Sequence, residues 1–112
     1  MSEQPTAGPS RIELQIESKK FNVAPGSSVT IPFEIFDGVR GDISLIIYNV
    51  LGRMVMDLRS QVRDAMSRQA SGPYEVIWNA KDINGKDCSS GVYIIILQWG
   101  VHRQLRKIAL LR

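Results

Sequence analysis

The stretch Ile43-Ser-Leu-Ile-Ile-Tyr-Asn-Val-Leu-Gly-Arg-Met-Val-Met-Asp-Leu58, read with Gly91-Val-Tyr-Ile-Ile-Ile-Leu-Gln-Trp99, decides the fold. Both are rich in the β-branched and aromatic residues that suit a pleated, packed surface. Ile43 to Val50 and Arg53 to Arg59 read as adjacent strands that meet at Leu51-Gly52, where glycine admits the positive φ of a tight hairpin. Gly91 to Trp99, a turn at Gly100, and Val101 to Arg112 close the chain as a second hairpin.

Outward from these runs, strict alternation recurs. Arg11-Ile-Glu-Leu-Gln-Ile-Glu17 places Ile12, Leu14 and Ile16 on one face and charges on the other. Val29-Thr-Ile-Pro-Phe-Glu-Ile35 alternates too, with Pro32 removing a ladder donor and so suiting an edge or a bulge. Pro73-Tyr-Glu-Val-Ile-Trp-Asn79 points Tyr74, Val76 and Trp78 inward. Ala24 to Ser28, Phe36 to Asp42 and Asp82-Ile-Asn-Gly-Lys86 are turns or connections. Gln61 to Ser71 is polar and carries Arg63, Asp64 and Arg68; a short helix is conceivable, but the absence of an apolar face favours a mobile loop. Seven strands without a convincing helix predict an all-β, immunoglobulin-like two-sheet antiparallel sandwich over residues 11–112, preceded by a linker over 1–10.

Length and composition agree with one domain. The chain has 112 residues, 44% apolar and 22% charged, enough for a genuine core. A formal charge of +3 is mild, and most Lys and Arg are scattered; Arg103, Arg106, Lys107 and Arg112 gather on the final strand, where a solvated face explains them. Nucleic-acid binding is not expected. Residues 1–10 have neither the basic start nor the apolar stretch of a signal peptide, so any export signal is expected in a longer precursor or within this module. The run Val92 to Leu97 is too short to cross a bilayer as a helix.

Candidate chemistry fails residue by residue. Cys88 cannot form an internal disulfide, and His102 lies fourteen positions away, so an unreactive thiol is expected. One His and one Cys do not make a metal site. A calcium loop counted from Asp82 meets Lys86 at position five, Asp87 at position six and Tyr93 at position twelve, where a ligand, glycine and glutamate belong. Gly85 and Gly91 lack phosphate-cradle spacing. Most carboxylates, such as Glu13, Glu34 and Glu75, occupy the polar phase of strands or sit in turns. No catalytic residue, metal or cofactor is expected. Two apolar features remain. Strands 43–48 and 92–99 are apolar on both faces, either because loops cover their outer side or because a patch around Tyr48, Tyr93, Ile95 or Trp99 is exposed. Trp78 reads as core; Trp99, just before a turn, reads as exposed and as a ligand platform for a sugar.

The order Ile47-Tyr-Asn-Val-Leu-Gly-Arg53, Trp78-Asn-Ala80 with Asn84-Gly85, Ser90-Gly-Val-Tyr93 and Lys107-Ile-Ala-Leu-Leu-Arg112 resembles the C-terminal sorting domains of the type IX secretion system. It equally resembles the immunoglobulin-like domain of the flagellar hook-capping protein. The resemblance spans about Val29 to Arg112. It implies a non-catalytic module of a larger exported protein, at the cell surface or outside the cell, recognised by secretion or surface-attachment machinery. Gly91, Val92, Tyr93, Lys107, Ile108, Leu110 and Arg112 would then form the recognition region. The sequence departs from the sorting pattern in separating Asn22 from Pro25 and in placing a strand before them. A structural assembly domain that self-associates, and an accessory carbohydrate-binding or adhesion module, share the same sandwich.

Overall fold

The structure, a computed structural model, describes residues 11–14, 20–22, 27–36, 42–68 and 72–111. The expected linker over 1–10, much of the turns at 24–28 and 36–42, and Arg112 lie outside them, as do the side chains of Ile12 and Ile16. The elements in chain order are β1 Arg11–Leu14, β2 Lys20–Asn22, β3 Val29–Phe36, β4 Ile43–Asn49, β5 Met54–Asp57, α1 Arg59–Met66, β6 Gly72–Trp78, β7 Gly91–Trp99 and β8 His102–Leu111.

The strands form two sheets, three-stranded β1-β3-β6 and five-stranded β2-β8-β7-β4-β5. The expected sandwich is therefore present. Every described pairing is antiparallel except β2 with β8, which is parallel from Lys20–Ala109 to Asn22–Leu111. Pro32 is not on an edge: β3 is the central strand of its sheet, and Pro32 is registered with Glu75 of β6. Its described pairing with β1 begins one residue later, at Phe33–Leu14.

The two inner faces interdigitate as period two requires. Ile31, Phe33, Ile35, Tyr74, Val76 and Trp78 from one sheet meet Leu45, Ile47, Tyr93, Ile95, Leu97, Ile108 and Leu110 from the other. Phe33 and Tyr74 stack at 5.4 Å, and Trp78 meets Tyr93 edge to face at 5.7 Å, bridging the sheets. Burial also pushes the Tyr74 phenol pKa up.

The expected loop at 61–71 begins instead as helix, continuing α1 from Arg59. Leu58, Val62, Ala65 and Met66 recur at i, i+4, i+7 and i+8, a helical stripe whose strongest member lies before the window that looked polar. Leu58, Val62 and Ala65 are buried, and Met66 packs against the core. Leu58 supplies no side-chain cap; Asp57 Oδ1, one residue earlier, accepts the Arg59 N–H at 2.9 Å. The helix joins β5, an edge of one sheet, to β6, an edge of the other, and packs against β4 and β6.

The motif residues prove to be fold locks. Asn49 Oδ1 accepts the N–H groups of Leu51 and Arg53, both at 3.0 Å, and Gly52 takes φ 81°. Trp78 Nε1 donates to the Lys81 carbonyl at 2.8 Å, while Asn79 Oδ1 accepts the Lys81 N–H. Asp82 Oδ1 accepts from Asn84 and Lys86, closing the expected turn. The Tyr93 hydroxyl donates to the Ser89 carbonyl at 2.8 Å, tying the Ser-Ser-Gly-Val-Tyr segment down. Gly100, at φ 56°, opens the two-residue β7–β8 turn, which suits a type II′ geometry.

Candidate functional site

Among the described residues no cluster of three or more His, Cys, Asp or Glu side chains could hold a metal ion. Cys88 is buried, and His102 lies beyond the far end of β7 from it. A nine-residue strand spans roughly 26 Å, so the two cannot act as a nucleophile and its base. No helix among the described residues is long and apolar enough to cross a membrane.

The distinctive surface is the outer face of the five-stranded sheet. Register builds it row by row. One row is Ser44–Gln98–Arg103; the next is Asp57–Ile46–Ile96–Leu105. Then come Met54–Tyr48–Ile94–Lys107 and finally Val92–Ala109. Ile46, Tyr48, Ile94, Ile96 and Ala109 are half-buried by one another, and Met54, Val92 and Leu105 are 45%, 42% and 48% exposed. No described element packs over this face. It is the apolar outer side that the two doubly apolar strands foretold, but its residues belong to the opposite phase from most of those expected.

That phase is the main correction. Tyr93, Ile95 and Trp99 point inward with Leu97, and only Tyr48 of the expected patch faces out. Trp99 is 8% exposed rather than open to solvent, and its ring stacks on His102 at 5.2 Å. It offers no free indole face to a sugar. The recognition set divides likewise. Val92 and Lys107 lie on the outer face and Gly91 is exposed, whereas Tyr93, Ile108 and Leu110 belong to the core. The first group is open at the surface, and the second is packed inside the sandwich. The residues that the sequence reading missed, Ile46, Ile94, Ile96 and Leu105, were marked by the doubled apolar character of β4 and β7 and by cross-strand register.

Charge on this face is one-sided. Arg59 clamps Asp57 with Nε at 3.0 and 2.9 Å and Nη2 at 2.6 Å. Those hydrogen bonds hold the Asp57 carboxyl below its ordinary value, against a smaller opposing effect of burial. Arg103 and Lys107 enter no ion pair among the described residues. Next to Ser44 and Gln98, a cleft of about 470 Å³ opens against α1, where Arg59 and Arg63 face Asp42 and charge is mixed. The face itself has an apolar centre with Arg103 and Lys107 at its margin.

Parts of the β6 and β5 edges beside α1 are occupied. Gln61 of α1 donates from Nε2 to the Ile77 carbonyl at 2.9 Å and accepts the Ile77 N–H at 3.1 Å, occupying the outer edge of β6. By alternation Pro73, which has no N–H, and charged Glu75 share that edge. On β5 the Val55 carbonyl accepts the Ile83 N–H at 2.8 Å.

No protein-family model matches the chain, and no curated protein does. Among solved structures it is similar to PorZ, described as an essential bacterial surface component of the type-IX secretion system of Porphyromonas gingivalis. The superposition has a TM-score of 0.53 at 23% identity and covers 90% of this chain but 11% of that one. At that identity the likeness establishes the sandwich fold, shared with a small part of a much larger protein.

Proposed function

We propose that this domain is a non-catalytic sorting and anchoring module, which targets a larger exported protein to type IX secretion machinery and the cell surface. The uncovered apolar face of the five-stranded sheet carries the recognition part of that reading. A contiguous apolar patch of a few hundred Å² is often a docking site. The type IX part is supported by the ordered motifs from Ile47 to Arg112 and by the fold shared with a surface component of that system. Its partners are proteins of the secretion or attachment machinery, and neither nucleic acid nor a cofactor takes part.

The test is delivery. The intact domain is fused behind an exported fluorescent reporter in a host with a type IX system, beside the same reporter without it. Surface fluorescence that requires the domain supports the reading; equal delivery of both reporters overturns it. Removing residues 107–112 is a poor substitute, because Ile108 and Leu110 are core residues and the sandwich would open.

A further inference from the structure

We infer that the outer face of the five-stranded sheet docks a protein surface with an apolar centre and carboxylates set opposite Arg103 and Lys107. This rests on the recognition reading above and names the partner's chemistry. From β8 to β5 the apolar rows span three strand spacings, roughly 14 Å, and from Ile96 to Val92 four residue rises, roughly 13 Å. That is on the order of 200 Å², against the ~800 Å² one partner contributes to a standard interface. The apolar strip is thus the centre of a contact whose margin is completed by the polar row Ser44–Gln98–Arg103 and by Lys107. Occupied positions on the β5 and β6 edges argue against strand addition there.

Charge decides the occupant. The one carboxylate in the rows of this face, Asp57, is already held by Arg59, while Arg103 and Lys107 have no ionic partner among the described residues. In a two-fold contact between copies, this face would meet a copy whose own carboxylate, Asp57, is already held by Arg59, so neither cation would gain a counter-charge. A partner bearing carboxylates neutralises both cations and covers the isoleucines together.

The probes are a fluorescein-labelled peptide of alternating leucine and glutamate and its leucine–lysine counterpart, titrated by anisotropy against the full chain. The acidic peptide should bind at least tenfold more tightly, with affinity falling as salt rises. Arg103→Glu with Lys107→Glu, both exposed, should reverse the preference while leaving the melting temperature within a few degrees. Ile96→Ser should weaken the acidic peptide at least tenfold. Equal binding of both peptides, or a preference untouched by charge reversal, overturns the inference. So does concentration-dependent dimerisation in sedimentation, which makes a second copy the occupant. Binding to vesicles of 70% phosphatidylcholine and 30% phosphatidylglycerol without a peptide preference makes it a membrane surface and is equally fatal. Reporter delivery separates the two proposals. If the domain is required but the charge-reversed form delivers normally, this face is wrong and sorting stands; if peptide binding holds but delivery does not need the domain, sorting fails and the face stands.

Discussion

Replacing Gln61 with alanine tests whether α1 closes the sandwich flank. The amide makes two hydrogen bonds to the Ile77 backbone, at 2.9 and 3.1 Å. A typical intramolecular hydrogen bond contributes a net 0.5–1.5 kcal/mol. Both groups are solvent-accessible, so water takes over part of what is lost, and the lower half of that range applies to each bond. Alanine returns a few tenths through helix propensity. The expected net loss is about 1 kcal/mol, a urea midpoint lower by roughly 0.3–1 M at unchanged slope. Amide exchange gives the local readout: the Ile77 N–H should lose about tenfold in protection, while Leu45 and Ile95 in the opposite sheet change only as global stability does. Unaltered Ile77 exchange would refute the claim that Gln61 occupies the β6 edge.

Three further perturbations probe the helix, the core and the charged margin. Val62→Ala removes two methyl groups from a side chain 1% exposed, and should cost about 2 kcal/mol by denaturant titration, with exposed Ser60→Ala within ±0.5 kcal/mol as control. Trp78→Phe should cost about 2–3 kcal/mol: about 1 for the hydrogen bond to the Lys81 carbonyl and the rest for ring volume at a fully buried site. Thermal melts at several pH values should show Asp57→Asn flattening part of the acid limb. The Asp57 carboxyl is held below its ordinary 3.8, so its contribution is present above that value and fades as pH falls through the folded pKa. The difference between wild type and Asp57→Asn should therefore shrink below about pH 4 and with added salt; a constant difference from pH 7 to pH 2 would contradict the ion-pair account.

Alternation made the architecture legible because a strand's side chains switch faces at every residue. Tyr74, Val76 and Trp78 were assigned inward from the sequence, and all three are buried. Turn chemistry was equally readable, since Asn49, Asp82, Gly52 and Gly100 supply side-chain acceptors or positive φ whatever packs around them. The helix was lost to a boundary: Leu58, read as strand, is the first residue of the stripe that ends at Met66. Which side of β4 and β7 would be covered was not written in either strand. Ile94 and Ile96 are as apolar as Ile95 and Leu97, so hydrophobicity carried no phase. Only the opposing sheet, by burying Tyr93 beside Trp78 and taking Trp99 with the same face, left the alternate isoleucines on the outer face.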